Sequence, residues 1–262
     1  MRIVVLILAF LILHGCGEPG DFAKAEKFGS KMVAKDDSTS KVPILMYHYV
    51  RDMERHGDII GWNLSINKED FERQLKYLKE NDYVSVHLAD LIDGRVPEKA
   101  VVLTFDDGLS DFHTTALPLL ERYGFTASNA VVTGMIGNEG HMTKEQILEC
   151  LAAGMEITAH SVNHHNLARL SEAKLQEEIL GSKKYLEENF GIKVEGFVYP
   201  SGKYSKNAVR VLEENGYKIA VTTEYGEADL AADKMLLLPR IRIDNRDGFN
   251  RFVKKLEILE KF

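Results

Sequence analysis

From Val42 onward, short apolar runs alternate with stretches whose apolar residues recur every three or four positions. The run Val42-Pro-Ile-Leu-Met-Tyr47 reads as a first strand. Asn67 then stands as a helix N-cap with Asp70 three residues on, and Phe71, Leu75 and Leu78 follow at helical spacing. Further strands are predicted at 83–86, 101–105, 127–133, 155–159, 196–199, 219–222 and 236–243. Between them, 116–123 reads as a helix closed by Gly124, and Thr143 with Gln146 forms a capping box for a helix ending at Gly154. Ser171 opens a long helix carrying Leu175, Ile179 and Leu186, and 208–215 is a helix closed by Gly216. Phe249, Phe252, Val253, Leu256 and Leu259 give the last helix an apolar face. Alternating strands and helices imply a mainly parallel sheet with helices outside it. Seven or eight such strands in one α/β domain suggest a (β/α) barrel, with an open doubly wound sheet as the alternative. The sequence shows no internal repeat, and Gly137-Asn-Glu-Gly140 lacks the lysine of a phosphate loop.

The first 41 residues break this pattern. Met1-Arg2 is a short positive start, and 3–13 is uninterrupted apolar sequence, too short to span a bilayer comfortably but suited to a signal-peptide core. Leu13-His14-Gly15-Cys16 resembles a bacterial lipobox, with His14 where a small residue is usual. Residues 1–15 are therefore expected to be a lipoprotein signal peptide and Cys16 the lipidated residue, each buried acyl CH₂ contributing about 0.8 kcal/mol to membrane affinity. An ordinary secretion signal with a chance cysteine is the alternative. Gly17 is not the aspartate that often retains lipoproteins at an inner membrane, which leans towards the outer one where a cell has two. Residues 18–41 are polar and lack sustained periodicity, so 16–41 reads as a tether, reaching about 80 Å extended and nearer 30 Å as a coil. The folded domain is expected over 42–262.

The 262 residues carry a formal charge of −7, and removal of 1–15 takes away Arg2 and leaves −8. That balance disfavours nucleic acid as a partner and is compatible with neutral sugars. Of the two cysteines, Cys150 sits in the apolar pattern of Ile147, Leu148 and Leu151 and reads as a core residue, so no disulfide framework is expected.

In parallel α/β folds chemistry gathers at the C-terminal ends of strands. His48 follows the first predicted strand, Asp106 and Asp107 follow Thr104-Phe105, and His160 and His164 follow Ala159. Tyr199-Pro200 ends another strand, and Arg240 and Arg242 share one face of the last. Singly, an Asp-Asp-Gly is usually a turn, a His-rich loop a solvated surface, and a lone histidine packing. Their convergence on one rim changes the reading. Two histidines and a carboxylate suit a three-ligand zinc site with a position open for water, and a second carboxylate could accept that water's proton.

Thr104-Phe-Asp-Asp-Gly108 and His160-Ser-Val-Asn-His164 resemble the first two motifs of the polysaccharide deacetylases, carbohydrate esterase family 4, and the resemblance spans 42–243. It implies a distorted (β/α) barrel of about seven strands, a divalent metal, and hydrolysis of N-acetyl groups on amino-sugar polymers. Residue by residue, it implies Asp106 as catalytic base and Asp107, His160 and His164 as metal ligands, with His165 as the rival to His164. Phe197-Val198-Tyr199-Pro200-Ser-Gly202 resembles the third motif, which lines the substrate groove, and the Tyr199 backbone N–H is a candidate oxyanion donor. That motif often carries an arginine where Val198 stands, the late Asp/Trp motif is not visible, and no histidine follows the last strand. Instead Pro43-Ile-Leu-Met-Tyr-His48 precedes the aspartate motif. With Leu238-Pro-Arg-Ile-Arg242, this resembles the branch acting on exopolysaccharides such as poly-β-1,6-N-acetylglucosamine. That branch implies His48 as the acid and Arg240, with Arg242 as rival, as the partner orienting Asp106. An O-acetyl esterase and a non-catalytic sugar-binding lipoprotein are the alternative readings.

Overall fold

A computed structural model describes residues 41–55 and 57–259. Seven parallel strands close into a barrel in chain order: β1 (Ile44–Tyr47), β2 (Ala100–Phe105), β3 (Ser128–Val131), β4 (Glu156–Ala159), β5 (Gly196–Val198), β6 (Ile219–Tyr225) and β7 (Leu238–Arg242), with β7 returning to β1. A further short strand, Val84–Val86, pairs with the first half of β2. The expected barrel is therefore present, and it is closed rather than an open sheet.

Strand alternation sorts the side chains into two layers. Ile44, Val102, Ala130, Val198, Val221 and Leu238 fill the interior. Leu45, Leu103, Phe105, Ile157, Phe197 and Ile241 face outward against helices α1 (Lys68–Glu80), α2 (Leu117–Tyr123), α3 (Lys144–Ala152), α4 (Glu172–Phe190), α5 (Lys206–Glu214) and α6 (Gly248–Leu259). The caps follow the local sequence. Asn67 accepts from the Asp70 N–H, and Thr143 and Gln146 make both bonds of a capping box.

Several boundaries differ from the sequence reading. Strand β6 runs on through Thr223, Glu224 and Tyr225, because a register shift lets Tyr225 pair with Arg240. Phe112–Ala116 forms a π-helical turn ahead of α2. Lys41, placed by sequence in the tether, already pairs with Asp229 in a two-stranded patch. Cys150 is fully buried beside Met142, as a core residue should be. The signal peptide, Cys16 and the tether up to residue 40 lie outside the described residues.

Candidate active site

Strand β2 delivers Thr104 and Asp106 to the barrel interior, and β7 delivers Arg240. All three are buried. Arg240 is fully enclosed, yet each of its three nitrogens donates. Its Nη1 and Nη2 donate to Asp106 Oδ1 and Oδ2 at 2.7 and 2.8 Å, Nη1 also donates to Thr104 Oγ1 at 3.0 Å, and Nε donates to the Thr222 carbonyl at 2.8 Å. This is a bidentate fork that an ammonium could not reproduce. Burial alone would raise the Asp106 pKa, but the charge and hydrogen bonds of Arg240 outweigh it and hold the carboxyl below its usual range. Asp106 is thus ionised and aimed.

Asp107 follows with φ of +75°, and Gly108 with +71°. This left-handed step turns Asp107 away from its neighbour and towards the loop after β4. Ser161 and His164 also have positive φ, at +64° and +57°. Strained backbone therefore sits on both sides of the same small space. Asp107 Oδ1 lies 3.3 Å from His160 Nε2 and 3.4 Å from His164 Nε2. One ligand atom from each of the three lies within 4.8 Å of the others. A tetrahedron with metal–ligand bonds of about 2.0–2.1 Å has edges of roughly 3.3 Å, so the carboxylate–imidazole spacings fit such an ion. His160 fits in tautomer as well. Its Nδ1 lies 2.7 Å from the Val198 carbonyl, which can only accept, so Nδ1 carries a hydrogen and, in the neutral ring, Nε2 is the nitrogen left with a lone pair for a metal.

The loop is held from below by Glu178 on α4. Its carboxylate accepts from the N–H groups of Val162 and Asn163, from Asn163 Nδ2 and from His165 Nδ1. His165 is thereby turned away from Asp107, and His164 takes the place beside it. Glu178 was missed in the sequence, although one signal was there. It is an acidic residue on the buried stripe formed by Leu175, Ile179, Ser182 and Leu186. Gly134 lets a neighbouring loop close on this one, since a Cβ there would lie 2.6 Å from the Val162 carbonyl.

His48 leaves the end of β1 with Nε2 3.8 Å from Asp106 Oδ2. Burial lowers its pKa, and the charges of Asp106 and Asp107 offset that only in part. Arg242 does not reach Asp106; its Nε faces Asp244 at 3.5 Å. The structure thus brings Asp106, Asp107, His48, His160, His164 and Arg240 together. It does not bring Tyr199 in the expected way. The Tyr199 N–H donates to the Val221 carbonyl at 3.1 Å, and its ring is buried against Phe197 and Tyr204. The expected oxyanion donor is therefore already committed to the barrel ladder, a correction to the sequence reading. Pro200 is likewise buried just beyond β5.

YxkH of Bacillus subtilis (strain 168), whose name is that of a polysaccharide deacetylase, is 33% identical over 251 residues, covering 89% of this chain and 87% of that protein. The chain belongs to the polysaccharide deacetylase family. The family's own sequence pattern, described as polysaccharide deacetylase, matches this deacetylase over residues 93–220. The poly-β-1,6-N-acetyl-D-glucosamine N-deacetylase of Staphylococcus aureus (strain N315) is 25% identical over 282 residues, covering 97% of the deacetylase chain and 96% of its own. Among solved structures, the Streptococcus pyogenes deacetylase PplD in complex with acetate superposes with a TM-score of 0.76 at 33% identity, covering 82% of this deacetylase and 97% of PplD.

Proposed function

We propose that this deacetylase hydrolyses N-acetyl groups on an extracellular amino-sugar polymer, poly-β-1,6-N-acetylglucosamine or a close relative. The reading includes a divalent ion, zinc, held by Asp107, His160 and His164, and attachment to the outside of a bacterial membrane through lipid on Cys16. One observation carries the chemistry: Asp106, locked by Arg240 at both oxygens, lies 3.8 Å from His48 and directly precedes Asp107 of the three-ligand set. When bound, a divalent ion there supplies Lewis acidity for the acetamide oxygen and the attacking water.

The chain's own groups supply the proton transfers. Each Asp106 oxygen spends one lone pair on Arg240 and keeps another for the proton of the attacking water. The hydroxyl oxygen bonds to the acetyl carbon. His48, in its protonated form, gives its proton to the sugar nitrogen as the C–N bond breaks, so acetate and a free amine leave. An amide nitrogen departs poorly without that proton. The low intrinsic pKa of buried His48 makes it a willing donor once charged. The substrate class draws support from the likeness to the S. aureus enzyme and from the placement of His48 before the aspartate motif, with no histidine after β7.

The test compares two substrates in wild type and His48→Ala. Turnover of N-acetylglucosamine oligomers is expected to collapse in the variant, while an activated acetate ester, whose leaving group needs no proton, retains much more. Equal losses on both would make His48 a structural or positioning group. A wild type that cleaves O-acetyl glycans but no N-acetyl oligomer of any linkage would overturn the N-deacetylase reading. A clear preference for β-1,4 over β-1,6 oligomers would overturn only the linkage.

A further inference from the structure

The loop after β1 and the loop after β7 leave neighbouring strands at the same end of the barrel. Between them lies a hollow of about 500 Å³, lined by Asp52, Met53, Glu54, Trp62, Asn67 and Asn245. Its size falls within the roughly 300–1,000 Å³ of small-ligand sites. It shares Asp52 and Asn67 with a second hollow of about 460 Å³ that continues along the start of α1, so the two form one extended depression. Asp52 follows His48 by four residues and Asn245 follows Arg240 by five, so the chain itself limits their distances from the site to about 14 and 18 Å. That is the span of a few sugar residues.

The wall is built rather than incidental. Trp62 sits in the helical turn Ile59–Leu64, which Asp58 caps by accepting the Gly61 N–H at 2.7 Å. Ser65 Oγ donates to the Gly61 carbonyl at 2.7 Å, and Arg51 Nε donates to Ser65 Oγ at 3.2 Å. A Cβ at 61 would lie 2.2 Å from Asp58 Oδ2 and displace the capping carboxylate. Asn245 Nδ2 donates to the Trp62 carbonyl at 3.2 Å and clips the two loops together. The Arg55 guanidinium lies 5.3 Å from the indole centroid and braces the ring.

We propose that Trp62 and its hollow form a binding subsite for a sugar residue neighbouring the one being deacetylated. This rests on the proposed polysaccharide substrate. An indole offers an apolar platform to the C–H face of a pyranose, and its N–H can donate. The Asp52 and Glu54 carboxylates accept from sugar hydroxyls, and the asparagine amides both donate and accept. Nothing in the catalytic chemistry uses any of these groups.

Trp62 is the only tryptophan in the sequence, so its emission reports on the subsite directly. The experiment titrates the full protein with N-acetylglucosamine oligomers of increasing length, in β-1,6 and β-1,4 series. Oligomers long enough to pass from the catalytic site into the hollow should change the emission saturably, whereas the monosaccharide should not. In parallel, the KM advantage of long over short oligomers should shrink about tenfold in Trp62→Ala and less in Trp62→Phe. Oligomers that are turned over without any change in emission, or an undiminished length advantage in both variants, would overturn the subsite while leaving the deacetylase reading intact. A saturable emission change without N-acetyl turnover would uphold the subsite and overturn that reading. Neither response in any series would overturn both.

Discussion

Buried at the top of the barrel, Asp106 keeps its charge because Arg240 donates to both its oxygens. Removing one partner leaves the other charge uncompensated, which typically costs about 3–5 kcal/mol. Arg240→Ala should therefore lower the denaturant midpoint markedly, and Asp106→Asn added to it should recover part of the loss without recovering turnover. Additive losses would contradict the coupling. Asp106→Asn alone keeps its shape but cannot take up a proton; turnover should fall by roughly 10²-fold or more while bound metal is retained. Near-normal turnover would remove Asp106 from the role of base. The sign of the pH effect follows from the lowered folded-state pKa. The pair contributes stability above the unfolded carboxylate value, about 3.9, and loses it as pH falls towards the lower folded value. Stability curves of wild type and Asp106→Asn should therefore converge below about pH 4. At another buried position, burial pushes the Cys150 thiol up to about 12, so it should resist thiol reagents near neutral pH until the protein unfolds.

At the scale of elements, the loop after β4, which carries the proposed ligands, and helix α4 act as one unit. Glu178 receives four donors from residues 162–165, and those bonds hold it below the usual carboxylate range against the opposing effect of burial. Such outer partners of metal-binding loops typically account for 10–100-fold in metal affinity. Glu178→Ala should lower metal affinity by about that factor, read as metal content against a competing chelator. An unchanged affinity would mean that the loop holds its shape without the carboxylate. His160→Ala and His164→Ala should each lose metal and activity together. Full occupancy in both would move the assignment to His165.

For the whole molecule, closure of seven parallel strands places the loops after β1, β2, β4 and β7 around one mouth, so candidate catalytic groups distant in sequence share it. Among the described residues no helix is long and apolar enough to cross a membrane. The proposed lipid on Cys16 would hold this domain at a membrane surface, with the tether setting its reach. Cys16→Ser is expected to appear in the soluble fraction or to persist as an unprocessed precursor. A soluble wild-type protein whose mature chain begins elsewhere would refute the anchor.

Alternating apolar runs and helical stripes were enough to predict a mainly parallel sheet of seven or eight strands with helices outside it, because burial against two layers forces that periodicity. The choice of a barrel over an open sheet leaned on the family resemblance. Thr104–Gly108 and His160–His164 were legible for a related reason: strand ends in such folds converge on one rim, and the motifs lie at strand ends. What local pattern could not decide was which of two equivalent neighbours points where. Arg240 and Arg242 share a strand face, so alternation treats them alike. The ladder register puts Arg242 level with Met46 and Thr104 and Arg240 two residues lower. Yet it is Arg240 whose side chain extends through the closed interior to Thr104 and Asp106, while Arg242 faces Asp244. His164 and His165 are adjacent in a loop, and the choice between them lies with positive φ at His164 and with Glu178, a residue on the following helix. The Tyr199 N–H looked free until β6 was seen beside it. Trp62 sits in a turn too short for any periodic signal, and only the approach of Asn245 from the far end of the chain makes its surroundings a hollow. Sequence carries which face a side chain is on. Its partner, more than a hundred residues away, is set by the register of the closed barrel.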